Sequence, residues 1–457
     1  MLSLPKRYVQ VALCSSLYLN QHMETLALLK SGQLLGQKEL KISAALTEFP
    51  MEILDLADSL ELLVLSNNRL SSLPEEFSQL RNLKIVFFNN NAFETFPAVL
   101  AKCPNLSMIG FKGNNISKIE EGLLSSAIRW LILTDNCLET LPADIGKLSK
   151  LKKLMLAGNR LQSLPAEMKG CQSLELIRLS ANQLKALPRW LFSLPRLSWL
   201  AYAGNPFCNT EALIQKRLAL ESMLPAIDED TLEIGEILGQ GASGIIYEAV
   251  QVAAAAESQT VAVKLFKGDI TSDGLPADEM YACMGAGEHP NLVTVLGQLQ
   301  GEKSGLVFSF ISADYQNLGG PPSLETCTRD TYESEVSFTL PVILKILKGI
   351  ASAVKHLYAQ GIVHGDLYAH NILINGAGES VLGDFGAASF YDVADLDLSK
   401  TLQQMESRAF GCLLEDLLDR CSDTDSRIDS LRQLQQDCIS SVPAQRPVFS
   451  EIYERLE

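Results

Sequence analysis

A regularly spaced asparagine is the feature of this sequence that most restricts its fold. In the first half of the chain the pattern LxxLxLxxNxL recurs at intervals of 22 or 23 residues. Its asparagines are Asn68, Asn91, Asn114, Asn136, Asn159, Asn182 and Asn205. A fixed period of this length predicts stacked supersecondary units, because one unit cannot bury its apolar face alone. Residues 23–209 are therefore predicted to form a repeat array.

The pattern resembles the leucine-rich repeat, in which each turn contributes a short strand to a parallel sheet. Leucines at the third and fifth positions before each asparagine are predicted to face the core. Strand alternation then places the fourth and sixth positions on the concave face. Large apolar side chains recur at those concave positions, namely Leu62, Ile85, Phe87, Met108, Trp130, Ile132, Met155 and Trp199.

Contiguous apolar surface with aromatic residues is typical of protein interfaces, so we expect the concave face to bind a protein partner. Two alternatives stay open. The face could pack on the second domain of the same chain, or it could be covered in part by lysines and arginines.

The composition of the chain argues against several classes of function. The 457-residue chain has a formal net charge of −16, which argues against binding nucleic acid or an anionic membrane surface. No stretch has the roughly 18 uninterrupted apolar residues of a membrane helix, so no membrane insertion is expected. Ten cysteines without a CxxC pair favour reduced thiols and a cytoplasmic location. Residues 1–22 are interpreted as an N-terminal extension, because their apolar run is too short for a signal peptide.

The pattern changes after residues 210–229, which are interpreted as a capping helix followed by an acidic linker. Four motifs then follow in order: LGQGASG with Gly239, Gly241 and Gly244, VAVK with Lys264, HGDLYAHN with Asp366 and Asn371, and GDFG with Asp384. A glycine triplet alone is weak evidence. In this order the four motifs indicate a site for phosphoryl transfer from a nucleotide.

Residues 230–457 resemble the eukaryotic-type protein kinases, and the whole chain resembles soluble leucine-rich-repeat kinases of the bacterial type. The resemblance implies an N-lobe at 230–311 and a C-lobe at 312–457. The predicted architecture is thus an α/β leucine-rich-repeat solenoid followed by an α+β, two-lobed, kinase-like domain. The resemblance also implies ATP as the donor, Mg²⁺ or Mn²⁺ as the cofactor, and a protein serine or threonine as the acceptor.

The resemblance implies a role for each motif. Asp366 would orient the acceptor hydroxyl and take its proton, whereas Asn371 and Asp384 would bind the metal. Lys264 would hold the α- and β-phosphates and pair with Glu279 or, if the helix is shifted by one residue, with Asp278. The expected ATP-binding residues are Leu238, Gly239, Gly241, Gly244, Ile246, Ala262, Lys264, Glu279, Ser309, Phe310 and Ile311.

Several positions depart from the family pattern. Gly365 replaces an arginine that binds a phosphorylated activation loop in many kinases, so we expect activity that does not depend on loop phosphorylation. Tyr368 replaces the lysine that neutralises the γ-phosphate in serine/threonine kinases. His370 stands where tyrosine kinases have an arginine, and either donates to phosphate or is structural. Glu406 replaces an aspartate under the catalytic loop, and Arg446 lacks its usual glutamate because the A-P-E motif is missing.

Three functions follow from these observations. The favoured one is a protein kinase whose repeats recruit a substrate or a regulator. A nucleotide-sensing scaffold without catalysis is the second. The third is a small-molecule phosphotransferase, because HGDL also resembles aminoglycoside and choline kinases and the segment that docks peptides looks trimmed.

Overall fold

The computed structural model describes residues 22–241, 243–252, 258–267, 270–301 and 304–457. These residues form two compact units. One comprises the residues as far as Leu154 together with Asn159–Cys171, and the other comprises Met155–Gly158 and Gln172–Glu457. The last repeats therefore belong to the same unit as the second half of the chain. Almost all of the N-terminal extension lies outside the described residues, as does Ala242 of the glycine-rich loop.

Each repeat contributes a strand of three residues. The strands are β1 (Glu39–Lys41), β2 (Leu62–Val64), β3 (Ile85–Phe87), β4 (Met108–Gly110), β5 (Trp130–Ile132), β6 (Lys153–Met155), β7 (Leu176–Arg178) and β8 (Trp199–Ala201). Within the first unit, β1 to β5 pair in order and in parallel. In the second unit, β7 pairs in parallel with β8. The predicted parallel-strand repeat fold is confirmed.

The repeat asparagines satisfy backbone groups where the chain bends. Asn68 donates through Nδ2 to the carbonyls of Ile42 at 2.8 Å and Leu65 at 3.0 Å. Its Oδ1 accepts from the backbone N–H groups of Ala44 and Leu46 at 2.9 and 3.0 Å. The asparagines of the later repeats donate in the same way. One buried amide thus replaces the backbone partners that a bend removes.

Short 3₁₀ helices follow most of the repeat strands. They span Met51–Leu56, Glu75–Gln79, Ala98–Lys102, Ala143–Lys147, Ala166–Gly170 and Arg189–Ser193. Helix α1 (Glu211–Met223) comes after the last repeat, as the sequence predicts. Thr210 caps its first turn, where the hydroxyl accepts a hydrogen bond from the Leu213 N–H.

The N-lobe contains a six-stranded sheet. Its strands are β9 (Ala226–Asp228), β10 (Leu232–Gln240), β11 (Gly244–Gln251), β12 (Gln259–Phe266), β13 (Val295–Gln300) and β14 (Gly305–Ser309). Their order across the sheet is β10-β11-β12-β14-β13-β9. Helix α2 (Pro276–Ala286) accompanies this sheet. Strand β9 pairs in parallel with β13, so part of the segment interpreted as an acidic linker is an edge strand.

The C-lobe is mainly helical. Its helices are α3 (Leu340–Ala359), α4 (Leu396–Leu418), α5 (Arg427–Cys438) and α6 (Phe449–Leu456). Its short strands are β15 (Gln316–Asn317), β16 (Ile362–Val363), β17 (Ile372–Ile374), β18 (Ser380–Leu382) and β19 (Ser389–Phe390). Helix α3 buries an apolar stripe at helical spacing, and Ile343, Ile346 and Ile350 are fully buried. The two-lobed α+β architecture expected for the second half is confirmed.

Across the described ranges, no helix combines the length and the apolarity needed to cross a membrane.

Candidate functional site

A buried ion pair connects the N-lobe sheet to helix α2. Lys264 on β12 contacts the carboxylate of Glu279 through Nζ, and the two side chains are 11% and 2% exposed. Asp278 instead pairs with Arg217 at 3.2 Å. Burial by itself would lower the pKa of Lys264, but the carboxylates of Glu279 and Asp384 outweigh it and raise that pKa. The lysine is therefore charged and held in one position.

Asp366 and Asn371 are joined at the catalytic loop, which we define as residues 364–371. Asn371 donates through Nδ2 to the backbone carbonyl and to Oδ2 of Asp366, each at 2.9 Å. The amide oxygen of Asn371 is thereby left as the atom that a cation would use. The backbone carbonyl of Asn371 accepts from the Gly383 N–H at 2.9 Å, and Gly383 precedes Asp384. One short network thus connects three of the predicted site residues.

Asp384 has a left-handed backbone conformation, with φ of +51°. An L-residue adopts this region at a cost and does so most often at functional sites. Its Oδ1 accepts from the Gly386 N–H at 3.1 Å. Phe385 is 1% exposed and packs against the His364 ring at 5.3 Å between centroids. A buried neighbour therefore holds Asp384 in this strained conformation.

The carboxylate of Asp384 and the amide of Asn371 suit a divalent cation whose remaining ligands are phosphates and water. Among the described residues there is no cluster of three or more His, Cys, Asp or Glu that could hold a metal alone. Mg²⁺ usually takes one or two carboxylates and fills the remaining positions with water and substrate phosphate. The carboxylate of Asp384 and the amide oxygen of Asn371 are hard oxygen donors of that kind. The donor set fits a divalent cation bound together with a nucleotide.

The glycine-rich loop separates β10 from β11. A Cβ atom on Gly239 or Gly241 would meet nothing within 4 Å, so both glycines face open space. A Cβ atom on Gly244 would lie 2.5 Å from the Leu265 carbonyl oxygen, so only glycine fits there. This arrangement is compatible with a phosphate approaching the loop backbone.

The remaining predicted ATP contacts lie on or just beyond the same sheet. The register places Ile246 opposite Lys264 and Ala262 opposite Phe308. Leu238 lies on β10, while Ser309 ends β14 and is followed by Phe310 and Ile311. The N–H of Ser309 donates to the Thr294 carbonyl at 3.0 Å. These residues stay predictions as ATP contacts.

His370 is held by an acidic partner that the sequence did not indicate. Its Nδ1 lies 2.6 Å from Oδ1 of Asp330, and Oδ2 of Asp330 accepts from the Ala369 N–H at 2.5 Å. Burial by itself would lower the pKa of His370, but the bond to Asp330 and its charge raise it. The ring is thus ion-paired, and its contact with phosphate stays a prediction.

Sequence reasoning missed a site residue that the repeats contribute. Arg178 on β7 donates through Nε to Asp273 at 2.6 Å, through Nη1 to the Gly365 carbonyl at 3.0 Å, and through Nη2 to Oδ1 of Asp366. Its side chain is only 3% exposed. Burial by itself would raise the pKa of Asp366, but the Arg178 guanidinium outweighs it and holds that pKa below its ordinary value. The one available signal was an arginine at a concave position where most repeats have an apolar or small residue.

Strand β8 of the last repeat explains two departures from the family pattern. Gly365 has φ of +73°, and a Cβ atom there would lie 2.5 Å from the Leu200 carbonyl oxygen. A side chain at this position would therefore collide with the repeat backbone. Tyr368 stacks on Trp199 at 4.3 Å with an interplanar angle of 7°. The Trp199 indole N–H also donates to the Leu367 carbonyl at 3.1 Å.

Arg446 is also held by the last repeat. Its Nη2 donates to the Pro195 carbonyl at 2.6 Å, and its Nε donates to the Ser440 carbonyl at 2.9 Å. Burial and the nearby Arg408 charge lower the pKa of Arg446 to about 10. Carbonyl groups of the repeat thus stand in for the glutamate that the sequence lacks. Glu406 lies under the catalytic loop, where Oε1 accepts from the Gly365 N–H at 2.7 Å.

The structure corrects the predicted concave face. Trp199 is 1% exposed because it packs on Tyr368 of the same chain, so it is not available to an external partner. Leu62, Met108 and Met155 are also buried, each with 7% or less of its surface exposed. Parallel strands about 4.8 Å apart bring large side chains of neighbouring repeats into contact, which hides much of each one.

Four of the predicted concave residues keep partial exposure, namely Ile85, Phe87, Trp130 and Ile132. We call these four residues the apolar patch. The Phe87 and Trp130 rings meet edge to face at 6.5 Å between centroids. Lys153 covers the Trp130 ring at 4.4 Å, so a lysine shields part of the face.

Two family models match the chain. Residues 232–410 match the protein tyrosine and serine/threonine kinase model. Residues 58–116 and 149–207 match the leucine rich repeat model. A leucine-rich-repeat protein of Leptospira interrogans with a solved structure is 25% identical, with a TM-score of 0.35 over 39% of this chain and 52% of that chain.

Curated relatives are receptor kinases or receptors. A calmodulin-binding receptor kinase of Arabidopsis thaliana is 24% identical over 52% of this chain and 37% of its own length. An L-type lectin-domain containing receptor kinase of the same plant is 32% identical over 34% of this chain and 23% of its own. A putative neurotrophin receptor of Lymnaea stagnalis is 30% identical over 42% and 25%, respectively. The chain thus covers well under half the length of each of these relatives. The chain thus combines segments that match leucine-rich repeats with a segment that matches a protein kinase domain.

Proposed function

We propose that this chain is an ATP-dependent protein kinase that transfers the γ-phosphate of Mg-ATP to a serine or threonine hydroxyl of a protein. The observation that carries the proposal is the presence of a buried Lys264–Glu279 pair and a bonded Asp366–Asn371 pair in one compact unit. Phosphoryl transfer needs positioned groups and cations more than covalent catalysis. The kinase model match supports the same function. The proposed kinase domain remains 230–457, and a cytoplasmic location is proposed from the cysteine composition.

We propose the following roles for the residues present. The acceptor oxygen would bond to the γ-phosphorus while the bond from phosphorus to the β–γ bridging oxygen breaks and ADP leaves. The hydroxyl proton would pass to Asp366, and Lys264 would hold the oxygens of the departing diphosphate. Mg²⁺, when bound by Asp384 and Asn371, would supply positive charge to the phosphate oxygens.

Replacing Lys264 by methionine tests the nucleotide site. We expect transfer to fall by at least about 100-fold, because a buried charge aimed at phosphate is lost and Glu279 is left without its partner. Radiolabel transfer from [γ-³²P]ATP and calorimetric ATP binding would measure the effect. Lys345→Met is the matched control, because Lys345 forms an exposed ion pair with Glu379 at 3.4 Å. Equal activity in both variants would contradict the role of Lys264 in the nucleotide site.

A nucleotide-binding scaffold is the second candidate, and one observation favours it. Arg178 already occupies Oδ1 of Asp366, and the last repeat covers Gly365. Calorimetry with Mg-ATP, beside transfer assays on protein and small-molecule acceptors, separates the candidates. Binding without transfer to any acceptor identifies a scaffold. Phosphosite mapping of the labelled protein then distinguishes serine or threonine from tyrosine.

We propose that the apolar patch binds a protein substrate or regulator. Trp130→Glu places a charge at its centre and is expected to weaken that binding by about 30-fold or more. Partners captured by the full chain would be identified by mass spectrometry, and their affinities would be measured for both forms. Lys150→Glu, an exposed change outside the strands, is the control. Equal affinities would show that the patch is not the binding surface.

A further inference from the structure

Arg178 connects two segments that each belong to the proposed kinase site. Its acceptors are Asp273, in the segment before helix α2, and Asp366 and Gly365, in the catalytic loop. Every nitrogen of the guanidinium donates to one of these groups. The fork is therefore fixed in one orientation, which a lysine could not reproduce.

The contacts around Arg178 hold the last repeat against the rest of this compact unit. Trp199, Leu200 and Tyr202 are each 2% exposed or less. The Tyr202 N–H donates at 3.1 Å to the hydroxyl of Ser389, the first residue of strand β19, which follows the GDFG motif. A lid that opens would expose the large apolar surfaces of these side chains to water, which is unfavourable. The burial favours a fixed support over a removable cover.

Arg178 and Asn371 together fix the orientation of the Asp366 carboxylate. Arg178 occupies Oδ1 and Asn371 occupies Oδ2, so the carboxylate cannot rotate freely. Each ionised carboxylate oxygen has about two lone-pair sites, so one donor on each oxygen leaves room for a hydroxyl. Tyr368 stands where a lysine would otherwise supply positive charge beside this carboxylate, and its ring is stacked on Trp199.

We propose that Arg178 is a positioning residue for phosphoryl transfer, which the repeats supply to orient Asp366 toward the acceptor hydroxyl. The proposal rests on the kinase function proposed above. It assigns the last repeats to the catalytic unit itself, in addition to any role of the apolar patch in binding a partner.

The test is steady-state kinetics of the full chain with Mg-ATP and a protein acceptor. Arg178→Ala is expected to lower kcat by about 100-fold, because a general base held in the wrong orientation lowers the rate by about that factor. The KM for ATP is expected to change by no more than about twofold, because Arg178 contacts no predicted ATP residue. Arg178→Lys should recover part of kcat. Asp273→Asn, which removes the second anchor of the guanidinium, should lower kcat by a smaller factor.

Arg196→Ala is the matched control, because Arg196 belongs to the last repeat and its side chain is 53% exposed. It should leave kcat unchanged. Added guanidinium ion at millimolar concentration should partly rescue Arg178→Ala and should have no effect on Arg196→Ala. Melting temperatures establish that each variant is folded. If Arg178→Ala does not fold, the kcat values of Arg178→Lys and Asp273→Asn test the proposal instead.

The outcomes separate this inference from the proposed function. If the unmodified chain is active and a folded Arg178→Ala has an equal kcat, the positioning role is wrong and the kinase stands. If Arg178→Ala is more active than the unmodified chain, Arg178 restrains Asp366 and the positioning role is again wrong. If every form binds Mg-ATP and none transfers phosphate, the kinase function fails and this inference fails with it.

Discussion

Asp366→Asn is expected to lower phosphoryl transfer by roughly a thousandfold while Mg-ATP binding changes little. The amide has nearly the shape of the carboxylate and keeps one acceptor oxygen, which can accept from Arg178 or from Asn371. It cannot take the proton of the acceptor hydroxyl. The loss should therefore appear in kcat and not in the KM for ATP.

Transfer of label from [γ-³²P]ATP measures the rate, and calorimetry measures nucleotide binding. Asp419→Asn provides the control, because Asp419 is more than half exposed and pairs with Arg432 at the surface. The catalytic assignment of Asp366 fails if its asparagine variant transfers phosphate as fast as the control. Loss of ATP binding in Asp366→Asn would show a structural effect on the site.

Gly365→Ala is expected to reduce the free energy of unfolding of the second unit by about 2–4 kcal/mol. Part of the cost is the left-handed φ of +73°, which disfavours any side chain by about 1–2 kcal/mol. The rest is overpacking, because the new Cβ would lie 2.5 Å from the Leu200 carbonyl oxygen and 2.7 Å from that of Ala387. Backbone atoms on two sides cannot move aside as a flexible side chain would.

Urea unfolding followed by tryptophan fluorescence measures the change, because Trp199 is buried beside this loop. Gly376→Ala is the matched control, since its Cβ would meet nothing within 4 Å and its φ is not left-handed. The control should change stability by less than about 1 kcal/mol. Equal midpoints for the two variants would mean that β8 does not pack on Gly365 in solution.

Local patterns predicted much of this molecule. The 22- or 23-residue period determines the repeat strands, because each asparagine bonds groups within its own and the preceding turn. The kinase motifs likewise predicted the pairing of Lys264 with Glu279, which the structure shows. These features depend on spacing within one element or between neighbouring elements, which a sequence displays directly.

Contacts between distant segments could not be predicted in this way. Arg178 is 187 residues from Gly365 and 188 from Asp366, and no period connects them. Trp199 occupies the same motif position as Trp130, yet Trp199 is buried against Tyr368 whereas Trp130 keeps partial exposure. Repeat position alone therefore cannot tell a buried contact from a partially exposed one. The missing glutamate partner of Arg446 was predictable, but the carbonyl of Pro195 that replaces it was not.

The most direct measurement is transfer of the γ-phosphate by the purified full chain. The chain would be incubated with Mg²⁺ and ATP labelled at the γ or at the α position, and protein-bound label would be counted and mapped by mass spectrometry. We expect γ-label, and no α-label, on serine or threonine residues of the chain or of an added protein, with none in Asp366→Asn. Calorimetric binding of Mg-ATP without transfer of γ-label to any protein would contradict the kinase function.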